Sequence, residues 1–279
     1  MPHSKDQLKL KIALVLVGDS DMKRWSDTEE HLLPSLSSKQ NLAHHHITLT
    51  HFHQHAKSGA VMQNLSKQVT KAMKEVNDSS RGPFDTTVFI ACAGENDLSS
   101  NTPIDNIMLS FEAAVETIFE SNANASVCSN QRHLIFIGPK VEPWMETDEL
   151  DARKGYFTLS ERLNQTCQRF RGAISEKHAG HGPGGASTHD CDAAGSGRSI
   201  VYIDSLTMFC GETSSLSVIG GVGGKAIAEK SYFNEDGLHL SHDGYEVWKR
   251  EVEAVLERLI CGEDCGESLD KSHYPSIDL

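Results

Sequence analysis

Three short polar segments of the sequence carry groups that together could cleave a carbonyl compound. Gly18-Asp19-Ser20 offers a hydroxyl, Gly94-Glu95-Asn96-Asp97 offers an amide, and Asp236-Gly237-Leu238-His239 offers an imidazole three residues after a carboxylate. A serine hydroxyl is a weak nucleophile until a base removes its proton. An imidazole can be that base, and a carboxylate fixes its tautomer and offsets the charge that it gains. These residue types predict nucleophilic catalysis.

The apolar pattern around these segments predicts a parallel sheet. Continuous apolar runs rich in β-branched residues are typical of strands that are buried on both faces. Four such runs occur, at Ile12–Val17, Thr87–Ala93, Leu134–Pro139 and Ile200–Asp204, and a weaker fifth candidate is His46–Phe52. Two of the polar segments directly follow one of these predicted strands.

Helical patterns separate the predicted strands. Apolar residues recur at helical spacing in Val61–Val76, Ile104–Ile118, Leu159–Ile174 and Tyr245–Leu259, and a capping pattern predicts a short helix that starts at Ser26. Alternating strands and helices indicate a doubly wound α/β domain with helices on both faces of the sheet. Sites in such sheets lie at the carboxyl ends of the strands, which is where Ser20 and Asn96 are expected.

The chain is predicted to form one domain over residues 1–262. Two stretches interrupt the alternation: a Gly-, His- and Ser-rich insertion at about 178–199 and a Gly-rich segment at about 211–230. Both are expected to be surface connections. The polar, acidic residues 263–279 are expected to form a C-terminal tail.

Composition excludes several classes of protein. Lys and Arg number 26 against 39 Asp and Glu, a net charge of −13, which argues against nucleic acid or an anionic membrane surface as the main partner. The longest apolar runs are too short for a transmembrane span, and Ile12–Val17 lacks the length and cleavage site of a signal peptide. Seven scattered cysteines do not form a disulfide framework. We therefore expect a cytoplasmic protein, and the sequence leaves its oligomeric state open.

The order of the polar segments resembles the sequence blocks of the SGNH (GDSL-type) hydrolases. Their first block, Gly-Asp-Ser, is matched at 18–20, their third block, Gly-x-Asn-Asp, at 94–97, and their fifth block, Asp-x-x-His, at 236–239. The glycine of their second block is matched more loosely by Gly59. The resemblance extends from residue 18 to residue 245, where Gly244-Tyr245 is also similar to the family.

The resemblance implies a three-layer α/β/α, flavodoxin-like sandwich with about five parallel strands. It implies a serine esterase that hydrolyses an acyl or acetyl ester of a small alcohol, sugar or lipid, with neither a metal nor an organic cofactor. Ser20 would be the nucleophile, His239 the base and Asp236 the residue that orients it. The oxyanion hole would consist of the backbone N–H groups of Ser20 and Gly59 and the side-chain amide of Asn96.

One position departs from the resemblance. Many family members have a small or apolar residue after the nucleophile, whereas this chain has Asp21. An additional carboxylate here would either disfavour anionic substrates or point to solvent. Asp97, by contrast, is expected to support its loop rather than to take part in the chemistry.

Two other functions use the same residues or the same fold. An acyltransferase would form the same acyl-enzyme and pass the acyl group to an alcohol, and the sequence cannot separate this reaction from hydrolysis. A non-catalytic flavodoxin-like binding module is a further alternative, but such a module does not need Ser20, Asp236 and His239 together.

Histidines and tryptophans outside the blocks could also bind a metal or line the crevice. Six histidines lie within residues 44–55, and His51, His53 and His55 alternate, so they would share one face of a strand. They predict either a polar edge strand or an adventitious transition-metal site; the former is favoured because the resemblance implies no metal. Trp25 and Trp144 would either line the crevice or pack in the core.

Overall fold

Five parallel strands form the centre of the molecule. A computed structural model describes residues 10–27, 47–78, 84–120, 131–142, 150–179, 198–210 and 228–261. The strands are β1 (Leu10–Gly18), β2 (Ile47–Gln54), β3 (Thr86–Cys92), β4 (Gln131–Ile137) and β5 (Arg198–Ile203). They pair in the order β2-β1-β3-β4-β5, and every pairing is parallel. The predicted sheet is confirmed, including its weaker fifth candidate, which is β2.

Seven α-helices of the described chain connect or follow these strands. They are α1 (Ser20–Asp27), α2 (Asn64–Asn77), α3 (Glu95–Ser99), α4 (Ile104–Glu120), α5 (Leu150–Ala179), α6 (Ser205–Cys210) and α7 (His242–Cys261), and a 3₁₀ turn spans Lys230–Tyr232. The four long predicted helices are confirmed. The predicted helix start at Ser26 is wrong, because Ser26 belongs to the last turn of a helix that already begins at Ser20.

Helices cover both faces of the sheet, and the alternation within β1 shows how. Ala13, Val15 and Val17 pack with apolar residues of α2, α4 and α5. Ile12, Leu14 and Leu16 face the opposite way and pack with residues of α1 and α7. Because both faces are buried, every residue of the run must be apolar. The three-layer α/β/α, flavodoxin-like architecture is therefore the one that the sequence predicts.

The strand order leaves a crevice at the carboxyl ends of the central strands. The chain leaves β1 towards β2 on one side and returns to β3 on the other side of β1. The two connections diverge at this point, which leaves room for a ligand beyond the carboxyl ends of β1 and β3. Ser20 begins the helix after β1 and Asn96 lies in the helix after β3.

Parts of several predictions lie outside the described residues. These are residues 180–197 of the predicted insertion, residues 211–227 of the Gly-rich segment, the tail beyond residue 261, and Trp144. Trp25 is buried, stacks on Tyr245 and meets Trp248 edge to face, so it packs in the core and does not line the crevice. Within the described helices, none has the length and apolarity to cross a bilayer.

Gly18 permits the close approach of β1 to β3 at the crevice. Its φ is +138°, and a Cβ atom there would lie 2.0 Å from the carbonyl oxygen of Cys92. The same carbonyl accepts a hydrogen bond from Asp19 N–H at 3.1 Å, so the contact cannot open without loss of this bond. Both the backbone conformation and the available space therefore require glycine.

We expect Gly18→Ala to lower the free energy of unfolding by at least about 2 kcal/mol, because the side chain adds backbone strain to a steric clash. Gly172→Ala is the matched control: Gly172 lies in α5, and a Cβ there meets nothing within 4 Å. It should raise stability by about 0.5–1 kcal/mol. Urea unfolding measures both changes, and equal effects of the two substitutions would contradict this account.

Candidate active site

Ser20 lies at the amino-terminal end of α1, immediately beyond β1. The end of the strand is fixed on both sides, since Asp19 N–H donates to Cys92 O at 3.1 Å and Lys57 N–H donates to Gly18 O at 2.9 Å. Ser20 is half-buried. As the first residue of a helix it has a backbone N–H without an intrahelical acceptor, at the positive end of the helix dipole. This position suits a hydroxyl that has to bear or face negative charge.

A glutamine side chain holds the strand end from the opposite layer. Gly18 N–H donates to Gln68 Oε1 at 2.6 Å, and Gln68 Nε2 donates back to Gly18 O at 3.0 Å. Gln68 lies on α2, beside the apolar stripe that packs on the sheet. The sequence did not single out this residue, because a glutamine next to a buried stripe carries no signal of its partner.

Asn96 and Asp97 hold the loop that follows β2. Asn96 Nδ2 donates to Ala60 O at 3.0 Å, and Met62 N–H donates to Asp97 Oδ2 at 2.7 Å. Asp97 thus supports the loop, as the sequence predicts. The amide nitrogen of asparagine has two hydrogens, so the bond to Ala60 orients Asn96 and leaves a second donor.

Gly59 lies in the same loop, one residue before Ala60. Its φ is +73°, and a Cβ there would meet nothing within 4 Å. Glycine is favoured here by the left-handed backbone conformation rather than by lack of space. Through Ala60, the loop that presents the Gly59 N–H is joined to the side chain of Asn96.

Asp236 and His239 form a hydrogen-bonded pair in the turn before α7. Asp236 Oδ2 lies 2.8 Å from His239 Nδ1, while Oδ1 accepts the backbone N–H groups of Leu238 and His239, both at 2.9 Å. Burial alone would raise the pKa of Asp236, but these hydrogen bonds outweigh it and hold the pKa well below its usual range. An ionised carboxylate only accepts, so the bond to Asp236 selects the tautomer with the proton on Nδ1, in which the lone pair of the neutral ring lies on Nε2.

The turn that carries His239 is fastened to the helix that begins at Ser20. Leu240 N–H donates to Asp21 Oδ1 at 3.2 Å, and Tyr245 Oη donates to the Asp21 carbonyl oxygen at 3.1 Å. Leu240 directly follows His239 in the sequence, and Asp21 directly follows Ser20. These contacts bring the segments of Ser20 and His239 together, although 219 positions separate Asp21 from Leu240 in the sequence.

A buried lysine joins the first turns of α1 and α3. Lys140 is fully buried just beyond β4, and its Nζ lies 2.6 Å from Asp21 Oδ2 and 2.6 Å from Glu95 Oε2. Its backbone N–H also donates to Glu95 Oε1 at 2.9 Å. Asp21 therefore does not point to solvent, which corrects one sequence-based expectation. Its charge is neutralised within the core.

The charges of this cluster shift one another's titration. Burial alone would lower the pKa of Lys140, but the carboxylates of Asp21 and Glu95 outweigh burial and hold that pKa well above its usual range. Burial also raises the pKa of Glu95, against the opposing effect of the lysine. The pKa of Asp19 is raised well above its usual range by burial and then by the charges of Glu95 and Asp21. The cluster thus favours the charged form of Lys140 and disfavours the charged form of Asp19.

The sequence did not identify Lys140 or Glu95 as parts of the site. Lys140 follows Gly138-Pro139 at a predicted strand end, and a charged residue at that position was the only available signal. A lysine there is ordinarily solvent-exposed, so its burial depends on two carboxylates from distant segments.

The fold is shared with solved structures of ester hydrolases. One is a carbohydrate acetylesterase from Sinorhizobium meliloti (11% identity, 88% of this chain and 99% of that chain covered, TM-score 0.50). Others are a psychrotrophic esterase from Pseudoalteromonas sp. (10%, 88% and 97%, 0.49) and a lipolytic protein of the G-D-S-L family from Veillonella parvula (13%, 88% and 99%, 0.45).

No protein-family model matches the chain, and no curated protein matches it. At these sequence identities the likeness to the solved structures is one of fold. The fold that the resemblance to GDSL-type hydrolases implies is confirmed.

Replacement of Lys140 by methionine should destabilise the protein by about 3–5 kcal/mol, because two buried carboxylates lose their partner. Lys249→Met is the control: Lys249 pairs with Glu246 at 3.2 Å on α7, where both side chains are partly exposed to water, and its loss should cost less than about 1 kcal/mol. Chemical unfolding of the purified variants gives both values.

The triple variant Lys140→Met, Asp21→Asn, Glu95→Gln extends this test. It removes the two negative charges that the single substitution leaves without a partner, so it should recover part of the lost stability. A Lys140→Met variant as stable as Lys249→Met would show that the cluster does not hold the two helices.

Proposed function

We propose that this protein is a serine hydrolase of carboxylic esters, with Ser20 as nucleophile. The observation that carries the proposal is the hydrogen-bonded Asp236–His239 pair, whose turn is fastened through Leu240 to the residue that follows Ser20. A hydroxyl at a helix start and an imidazole oriented by a carboxylate constitute the groups of a nucleophilic triad. The order of the three residues along the chain is that of the SGNH blocks.

The reaction proceeds through an acyl-enzyme. Nε2 of His239 takes the proton of Ser20 as Oγ attacks the ester carbonyl carbon, and His239 then protonates the departing alkoxide. Asp236 keeps His239 in the required tautomer and stabilises the imidazolium that forms transiently. Water, with its proton removed by His239, then hydrolyses the Ser20 ester and releases the acid.

Three donors from separate segments would stabilise the oxyanion. They are the backbone N–H of Ser20 at the start of α1, the backbone N–H of Gly59, and the second amide hydrogen of Asn96. The bond from Asn96 to Ala60 supports this assignment because it fixes the amide beside the Gly59 loop. Donors that are oriented before the reaction stabilise the developing charge without reorganisation.

The substrate class follows from the blocks and the fold rather than from a single contact. We infer an acyl or acetyl ester of a small alcohol, sugar or lipid as a small-molecule substrate, which is consistent with a fold shared with a carbohydrate acetylesterase. Transfer of the acyl group to an alcohol would use the same residues. Product analysis with an added acceptor alcohol separates the two reactions, since transfer yields a new ester and hydrolysis yields only free acid.

Ser20→Ala should abolish hydrolysis of p-nitrophenyl esters, tested from acetate to palmitate, because it removes the Oγ on which the proposed acyl-enzyme forms. The control is Ser110→Ala, whose hydroxyl donates to the Asn106 carbonyl oxygen on the exposed side of α4; it should retain full activity. The dependence of wild-type rates on acyl length indicates the size of the pocket that holds the acyl chain. Undiminished activity of Ser20→Ala would overturn the assignment, and an inactive wild type would favour the binding module.

Asn96→Ala should lower kcat by about 10²–10³, the usual cost of one oxyanion donor, with a much smaller change in KM. The variant also loses the bond to Ala60, so its unfolding free energy should fall by about 1 kcal/mol. Steady-state kinetics on the folded variant separate the two effects. A kcat reduced by less than tenfold would remove Asn96 from the oxyanion hole.

A further inference from the structure

Two histidines and a glutamate meet at the edge of the sheet, away from the candidate active site. His53 lies in the edge strand β2, and His55 follows the last residue of that strand. Residues two apart in an extended chain project to the same side, and the two imidazole rings stack with centroids 6.4 Å apart. Glu75, in the last turn of α2, reaches both rings. Three groups that can bind a metal thus converge from two elements.

The distances within this cluster fit a small divalent cation. Glu75 Oε2 lies 3.4 Å from His53 Nδ1 and 3.1 Å from His55 Nε2, and the three atoms all lie within 4.8 Å of one another. Zinc bonds to imidazole nitrogen and carboxylate oxygen are about 2.0–2.2 Å long, so adjacent ligands of a tetrahedral site are separated by roughly 3.3 Å. The two measured separations are close to this value.

Burial and hydrogen bonding also favour ligation. The side chain of His55 is 3% exposed, yet neither of its ring nitrogens has a hydrogen bond of acceptable geometry to another described residue. Glu75 is 45% exposed, which leaves an approach from solvent.

We propose that His53 Nδ1, His55 Nε2 and Glu75 Oε2 bind a Zn²⁺ ion, with water as the fourth ligand. Two imidazoles, one carboxylate and an open position form a known class of zinc ligand set. The site is separate from the proposed ester chemistry and does not depend on it. The resemblance to SGNH hydrolases implies no metal, so zinc would be a feature of this chain.

The bound ion would clamp the edge strand to α2. Backbone pairing with β1 holds β2 in the sheet, and a metal bridge would add a bond between β2 and α2. His55 N–H donates to Leu16 O, and Lys57 N–H donates to Gly18 O, so the clamp lies just before the loop of Gly59. Zinc should therefore stabilise the native chain, because a ligand that binds only the folded state raises its stability.

The test is calorimetric titration of the full, tag-free chain with ZnCl₂, together with thermal unfolding with and without the metal. The variants are Glu75→Gln, which changes a half-exposed side chain, and His55→Gln, which keeps the size of the buried ring more closely than alanine. His242→Ala is the control, since His242 lies beside Asp243 on the exposed start of α7. The control shows whether the loss of an exposed histidine outside the cluster changes zinc binding.

We expect one zinc equivalent to bind wild type and His242→Ala, with a rise of several degrees in Tm. Glu75→Gln and His55→Gln should weaken this binding at least about tenfold. Loss of a residue that only orients a ligand already lowers metal affinity by about tenfold or more, and loss of a ligand should cost at least as much. With Co²⁺ as the probe, the visible spectrum of a tetrahedral site should appear in wild type and disappear in both variants. Zinc binding that is absent, or equally strong in all four proteins, would overturn the proposal.

Discussion

The ammonium group of Lys140 holds together the two helices that begin at the crevice. It contacts Asp21, which follows the proposed nucleophile, and Glu95, which precedes the proposed oxyanion donor Asn96. The removal of three charges from water costs several kcal/mol per ion, and only close contacts with additional hydrogen bonds compensate for it. Here the contacts are 2.6 Å long, and the backbone N–H of Lys140 adds a further bond. The spacing of Ser20 and Asn96 is therefore set by a rigid, charged unit beneath them.

The same unit extends to the third part of the site. Asp21 accepts the N–H of Leu240 with the carboxylate oxygen that does not face Lys140, so one side chain joins the cation to the turn of His239. Asp97 and Asn96 bind the loop of Gly59. Ser20, Asn96 and His239 each lie one residue from a group that positions their segment. A site with tolerances below 1 Å requires such support from neighbouring residues.

The sequence predicted the sheet well for physical reasons. A strand buried on both faces must be apolar throughout, so β1, β3 and β4 could be recognised without knowledge of their partners. The three polar blocks were visible because each follows a strand end or precedes a helix. Lys140 was not found because its partners, Glu95 and Asp21, lie 45 and 119 positions away in the sequence. Gln68 was not found because its partner, Gly18, lies 50 positions away. The helix start at Ser20 was missed although Asp19 caps it through Oδ1, which accepts Asp21 N–H at 3.2 Å, because the third helical position is Met22 rather than the Glu or Gln of a capping box.

The activation of Ser20 by the Asp236–His239 pair is the central claim, and covalent labelling tests it most directly. The folded wild type and the His239→Ala variant are treated with a fluorophosphonate, and the modified peptide is identified by mass spectrometry. The account predicts one adduct, on Ser20, that forms rapidly in wild type and at a greatly reduced rate in His239→Ala. An adduct on another residue, or equal labelling of Ser20 in both proteins, would contradict it.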